Sequence, residues 1–167
     1  HATPEPMNAT ARYTSDRCEV WCPTQNGEAA LAATAEASGL PVAKCDVHKL
    51  LVGGGFGRRG ATDYVRQAVL IAKQMPDIPV KLLWSREEDM LHGKYHPVMQ
   101  AKLTGAIDTN GNLDALHIRL SGQSILASVF PGALDKGKDP YTFQGYWPSG
   151  EQSLEYTIPN LLIDHAM

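Results

Sequence analysis

Five of the fifteen glycines in this 167-residue chain fall within eight positions, Gly53-Gly54-Gly55-Phe56-Gly57-Arg58-Arg59-Gly60. No other segment concentrates as much potential chemistry. Without Cβ atoms, such a loop turns tightly and brings backbone N–H groups close to an anionic or bulky ligand. A helix starting just beyond it would add the positive end of its dipole. Arg58 and Arg59 add fixed positive charge beside those donors. The plainer reading is a tight strand-to-helix connection carrying two solvated arginines. An isolated glycine pair would fit that reading; five glycines around an aromatic ring point instead to a bound group.

Other chemistry-bearing residues make weaker cases. Gly55-x-Gly57-x-x-Gly60 satisfies the dinucleotide-binding fingerprint, but that fold needs an acidic residue about 20 positions on, at the end of the next strand. Here that strand ends at Trp84-Ser85-Arg86, so an NAD(P)-binding dehydrogenase domain is the lesser reading. His92 and His96 are four apart, yet Gly93 and Pro97 disfavour the helix that would present both to one metal. No metal ligand set is assigned. His48 and His117 read as structural or exposed histidines, and Asp63 as a charge favouring a helix N-terminus. Glu87, Glu88 and Asp89 read as first-turn dipole partners on a solvated face. No Gly-x-Ser-x-Gly elbow is present, so serine-nucleophile hydrolysis lacks its marker. Cys18 and Cys22 would lie about 13 Å apart along an extended strand, too far for a disulfide. With Cys45 they read as small packed hydrophobes.

The elements that must position the loop follow from periodicity and punctuation. Alternation over 17–24 puts Cys18, Val20 and Cys22 on one face of a strand. Asn26 caps a helix over 27–38, which Gly39 and Pro41 end. A second strand, 45–52, runs into the loop 53–60. Thr62 then caps a helix whose stripe of Val65, Ala68, Val69, Ala72 and Met75 faces a core, with Pro76 at its end. A third strand covers 80–84. Ser85 and Glu88 have capping-box spacing for a short helix from Arg86 to Gly93. Two alternating runs over 98–122 flank Asp108-Thr109-Asn110-Gly111-Asn112, where Asn-Gly supplies the positive φ angles of a hairpin turn. Beyond Gln123, Pro131, Pro140, Pro148 and Pro159 with Tyr141, Phe143, Tyr146 and Trp147 break any period. The fold class is therefore α/β (α+β): strand-helix units followed by an antiparallel hairpin.

Composition fits one ordinary globular domain, with 43% hydrophobic and 20% charged residues. A net charge of −3 without a basic stripe argues against nucleic acid as a partner. No apolar run approaches the roughly 20 residues of a membrane-spanning helix. The chain opens at His1 without an initiator Met and stops just after Leu161-Leu162-Ile163, so we read it as a piece of a longer protein. Residues 1–122 form the expected domain core and 123–167 a loop-rich extension of it.

Several separated motifs carry a resemblance. Gly53-Gly54-Gly55-Phe56-Gly57-Arg58-Arg59, Asp63-Tyr64, Pro79-Val80-Lys81 and Trp84-Ser85-Arg86-Glu87-Glu88-Asp89-Met90 resemble, in order, the large subunit of molybdenum hydroxylases, the xanthine dehydrogenase and aldehyde oxidase superfamily. His1-Ala2, Glu5-Pro6-Met7-Asn8-Ala9-Thr10-Ala11, Glu19-Val20-Trp21, Thr24-Gln25 and the double arginine are most similar to its isoquinoline 1-oxidoreductase β-subunit branch. Tyr156-Thr157-Ile158-Pro159-Asn160 resembles the stretch leading to that family's next cofactor loop.

The resemblance implies a molybdopterin-binding domain holding molybdopterin cytosine dinucleotide with molybdenum. That cofactor would hydroxylate an electron-poor carbon with oxygen from water, and electrons would leave through [2Fe-2S] clusters on a small iron–sulfur partner subunit. It makes Gly54, Gly55, Phe56, Gly57 and Arg58 the candidate cofactor-binding residues. Backbone donors preorganised in this way tune a cofactor that does the hard chemistry. The resemblance assigns no catalytic residue here, because the family's glutamate base lies nearer the far C-terminus. It also places the family's glutamine-bearing segment ahead of His1. Gly60 stands where purine-hydroxylating relatives carry an acid, so a heteroaromatic or aldehyde substrate is expected. An exported, periplasmic location is the expectation for a bacterial parent, with the cytoplasm as the alternative. A non-catalytic binding domain of the same fold is the other reading.

Overall fold

A computed structural model of the chain describes residues 1–143 and 156–167. Tyr146, Trp147 and Pro148 lie outside the described residues. Contacts divide the chain into two compact units, 1–95 and 96–167, so the hairpin groups with the residues that follow it.

The first unit is a four-stranded sheet in the order β3-β2-β1-β4, comprising β1 (Asn8–Tyr13), β2 (Cys18–Cys22), β3 (Cys45–Lys49) and β4 (Val80–Leu83). β2 and β3 run parallel, joined by helix α1 (Gly27–Ser38), while β1 is antiparallel to both β2 and β4. Helix α2 (Asp63–Ala72) joins β3 to β4. α1 ends as the sequence predicts: Asn26 Oδ1 accepts from Ala29 N at 3.0 Å, and Gly39 closes it at φ 78°, a left-handed angle that favours glycine. Thr62 precedes α2 but makes no side-chain capping bond.

β1 carries no strong strand signal, since Ala and Asn are poor strand formers. It is nevertheless an interior strand, paired on both sides. The fully enclosed Ala9 and Ala11 are small where α2 packs against this strand. Ala9, Ala11, Cys18, Val20, Cys22 and Cys45 from the sheet meet Tyr64, Val65, Ala68, Val69 and Ala72 of α2 and Ala30 and Ala37 of α1 in one buried cluster. Met75, expected on that stripe, is 45% exposed because α2 stops at Ala72 and the following turns carry it off the face. All three cysteines are buried and free. Helix α3 (Arg86–Leu91) starts at Ser85, whose Oγ accepts from Glu88 N at 3.1 Å. Asp89 departs from the solvated-face expectation: it is buried and accepts from Arg86 Nη1 at 3.0 Å.

The second unit is a three-stranded sheet, β5 (Met99–Ile107), β6 (Leu113–Gly122) and β7 (Asn160–Ala166). β5 and β6 form the expected antiparallel hairpin, and β7 runs parallel to β6. The turn differs from the predicted one. Only Gly111 takes a positive φ, 85°. Asp108 does the rest: its carbonyl accepts from Gly111 N and its Oδ1 from Asn110 N and Asn112 N, an Asx arrangement that spares Asn110 a left-handed conformation. Helix α4 (Ile125–Val129) follows β6. The buried Asp139 carboxylate accepts from Ser124 Oγ and from the amides of Leu126 and Tyr141.

Candidate functional site

After β3 the chain runs through exposed Leu50, Leu51 and Val52 into the glycine loop. The N-terminal segment backs the loop's first half. Glu5 N donates to Gly53 O at 3.0 Å, and Gly53 N donates to Glu5 Oε2 at 2.9 Å. A Cβ on Gly53 would stand 2.6 Å from Glu5 Cβ, and one on Gly54 2.7 Å from Pro4 Cδ. Gly54 also sits at φ 93°, which a side chain rarely tolerates. Arg86 Nη2 holds this segment from behind, donating to Thr3 O at 2.6 Å and Pro4 O at 2.9 Å.

Gln25, just before the Asn26 cap in the β2–α1 connection, holds the second half. Its Oε1 accepts from Gly57 N at 3.0 Å. Because an amide N–H can only donate, the carboxamide oxygen must face it, leaving Nε2 as a free-pointing donor. A Cβ on Gly55 would stand 2.5 Å from Gln25 Cδ, so glycine is needed for the carboxamide to lie there. Gln25 is not among the five residues that the resemblance makes candidates. Its only signal was the Thr24-Gln25 pair among the family-like motifs.

Between these two anchors the loop turns outward. The carbonyls of Gly53, Gly54 and Gly55 are used, by Glu5 N, Arg59 Nε and Arg58 N. Among the described residues, the N–H groups of Gly54, Gly55 and Phe56 have no hydrogen-bond partner. Phe56 at φ 51° and Gly57 at φ 85° are both left-handed, and Phe56 is 62% exposed. No described atom lies within 4 Å of where a Cβ on Gly57 or Gly60 would stand. Successive N–H groups beside left-handed residues make a concavity for anionic or oxygen-rich groups.

Neither arginine is solvated. Arg59 is fully buried, donating through Nε to Gly54 O at 3.0 Å, Nη1 to Pro23 O at 3.4 Å and Nη2 to Glu5 O at 2.6 Å. Nη2 also reaches Glu5 Oε2 and Pro6 O. It ties the loop to β1's approach and to β2's exit. Arg58 is 2% exposed and forks onto Asp63, Nη1 to Oδ1 at 2.9 Å and Nη2 to Oδ2 at 2.7 Å. Its guanidinium carbon lies 5.6 Å from the centroid of the Trp84 ring, within cation–π range. Trp84 Nε1 is itself held by Gln67 Oε1 at 2.9 Å. Arg58 Nε is buried with no partner among the described residues, a vacancy that ordinarily costs about 1–3 kcal/mol. Asp63 thus does more than favour the helix N-terminus.

Beneath the loop, Tyr64 OH donates to Pro23 O at 3.0 Å. Burial pushes the Tyr64 phenol up to about 12 and the Cys22 thiol up to about 11, so both stay neutral packing groups. The remaining candidates have partners of their own. His48 stacks on Trp21 at 4.9 Å between ring centroids. His92 Nδ1 is 3.1 Å from Glu88 Oε1, and His117 Nε2 is 3.3 Å from Asp164 Oδ2 in the second unit. Among the described residues no group of three or more His, Cys, Asp or Glu side chains could hold a metal ion. No described helix is long and apolar enough to cross a membrane.

Known proteins share this chain's sequence pattern and fold. The family model described as the molybdopterin cofactor-binding domain matches residues 1–131. The chain is 28% identical over 162 residues to the β subunit of isoquinoline 1-oxidoreductase from Brevundimonas diminuta, covering 96% of this chain and 20% of that one. It is 29% identical over 146 residues to the membrane-bound, pyrroloquinoline-quinone aldehyde dehydrogenase of Gluconacetobacter polyoxogenes, covering 84% and 18%. The crystal structure of quinoline 2-oxidoreductase from Pseudomonas putida 86 shares the fold, with a TM-score of 0.56 at 22% identity, covering 73% of this chain and 16% of that one. The chain spans about a fifth of the length of the curated relatives it matches first. With the family model running through both anchors and the glycine loop between them, this chain belongs to the molybdopterin cofactor-binding domain family of the molybdenum hydroxylases.

Proposed function

We propose that Gly54, Gly55, Phe56, Gly57 and Arg58, together with Gln25, form one wall of a molybdopterin cytosine dinucleotide site in an oxidoreductase that hydroxylates a heteroaromatic or aldehyde carbon. The observation that carries this reading is the set of three adjacent unpartnered N–H groups at Gly54, Gly55 and Phe56, held outward by Glu5 on one side and Gln25 on the other. The residues fit the group: the donors suit oxo and phosphate oxygens, and Gly57 leaves open space. Gln25 Nε2 is a further donor beside Gly55, and the exposed Phe56 ring supplies an apolar surface that excludes water.

When bound, the cofactor supplies two-electron oxidation of the substrate carbon with oxygen from water. This chain's part is to bind and orient it. Preformed N–H donors need not reorganise as charge develops, which is how such walls contribute to rate. Electrons would pass to [2Fe-2S] clusters on a small iron–sulfur subunit, a reading supported by relatives that are named as subunits. Relatives named for isoquinoline and for aldehydes support the substrate class. We assign no catalytic residue within the chain. A dinucleotide-binding dehydrogenase has less support, because the third glycine of the fingerprint serves close helix–strand packing, yet no described atom lies within 4 Å of where a Cβ on Gly60 would stand.

The test is molybdenum content together with the fluorescence of oxidised pterin, measured on the protein co-produced with a small iron–sulfur subunit. Near-stoichiometric molybdenum and pterin, lost when Gly55 and Gly57 are replaced by valine, are the expected result. A quinone cofactor, as one relative's name carries, would give neither signal. Absence of both in an assembled complex would overturn the molybdopterin reading, and a complex that also lacks a quinone would favour a non-catalytic binding domain of the same fold.

A further inference from the structure

Arg58 and Arg59 adjoin in sequence but are neutralised differently. Arg59 spends its guanidinium on the carbonyls of Gly54, Pro23, Glu5 and Pro6 and the Glu5 carboxylate. Arg58 gives both terminal nitrogens to Asp63 alone and keeps one N–H, at Nε, buried and unpartnered. Its backbone N–H meanwhile donates to Gly55 O at 2.8 Å, so the residue closes the turn that carries the free amide of Phe56. Asp63 occupies the first position of α2, with a side chain 40% exposed against 1% for Arg58. The charge of a buried cation in the loop is therefore balanced by one half-exposed carboxylate.

We propose that Asp63 is a positioning residue of the cofactor site: by forking Arg58 it sets the net charge behind the loop that faces the bound cofactor. The inference rests on the cofactor reading above. Its consequence is electrostatic and has a sign. Removing the Asp63 charge leaves a buried cation uncompensated, which favours the reduced, more electron-rich form of a neighbouring redox group. Removing the Arg58 charge leaves a lone carboxylate and favours the oxidised form. A purely structural role, in which either change merely loosens the loop, has no reason to move the two in opposite directions.

The experiment is a redox titration of bound molybdenum, followed by its electron paramagnetic resonance signal, in the wild-type assembled protein and in Asp63→Asn, Asp63→Glu and Arg58→Met, with molybdenum content measured in each. The expected results are a midpoint raised in Asp63→Asn, close to wild type in Asp63→Glu and lowered in Arg58→Met. If Asp63→Asn does not load, Arg58→Met decides alone, and a midpoint that is unmoved or raised overturns the proposal. A loaded Asp63→Asn at the wild-type potential overturns it too, while leaving the cofactor reading standing. A wild-type complex empty of molybdenum and pterin overturns both.

Discussion

Arg59→Met isolates what the buried guanidinium contributes, because methionine keeps much of the arginine's length and apolar stem while removing every polar contact. The loss covers bonds to Gly54 O, Pro23 O, Glu5 O, Pro6 O and Glu5 Oε2, from a side chain that is 0% exposed. Breaking a buried ion pair by deleting one partner costs about 3–5 kcal/mol. The Glu5 side chain is 37% exposed, so its stranded carboxylate can rehydrate, which places the estimate at the lower end, about 3 kcal/mol. With a urea dependence of about 2 kcal/mol per molar, the unfolding midpoint should fall by roughly 1.5 M. The assay is equilibrium urea unfolding followed by tryptophan fluorescence, for which Trp84, 6% exposed, is a suitable reporter in the first unit. A loss below about 1 kcal/mol is what an exposed arginine would give. That result would refute the assignment of Arg59 as the pin that joins the loop to the N-terminal segment and the end of β2.

Gly55→Ala places a Cβ 2.5 Å from Gln25 Cδ, so the carboxamide should leave Gly57 N, lowering stability by only about 1 kcal/mol while molybdenum content falls sharply; equal loading with wild type would remove Gln25 from the wall. Gly60→Ala meets no described atom within 4 Å and should leave thermal stability and loading unchanged; a clear loss of either would show that Gly60 is packed closely in the assembled protein. NADH titrated onto the protein should show no saturable fluorescence change, and saturation would revive the dehydrogenase reading. Alkali should destabilise the first unit: burial raises Cys18 and Cys22 to about 11 and Tyr64 to about 12. Above pH about 9 the unfolded thiols shed protons that the folded ones retain, so the stabilisation is complete below that pH and is lost as pH climbs toward 11. Urea midpoints that stay flat from pH 8.5 to 11 would contradict the burial.

Some of this was legible in neighbouring residues alone. Helix 27–38 is bounded by Asn26 and Gly39, and both make the capping bonds that their types predict. The hairpin arms and the place of the glycine loop between strand and helix follow from alternation and punctuation in the same way. The chemistry of the loop was legible as a kind, backbone donors freed by missing side chains, though not as a geometry.

Neighbouring residues encode features written within about four positions of each other: caps, turns, the apolar stripe of α2, and which segment could bring N–H groups against a ligand. The tertiary structure decided which donors stay free and what holds them. Glu5 meets Gly53 across 48 positions, Gln25 meets Gly57 across 32, and Arg59 meets Glu5 across 54. No local pattern encodes those meetings. They arise because the sheet order β3-β2-β1-β4 sets the entry to β1 and the exit of β2 beside the end of β3. For the same reason β1, built from Asn8, Ala9, Thr10 and Ala11, became a strand against its weak propensity. The charge of Arg58 and Arg59, which the sequence would leave in water, was drawn inside because the converging carbonyls and carboxylates there replace the lost hydration.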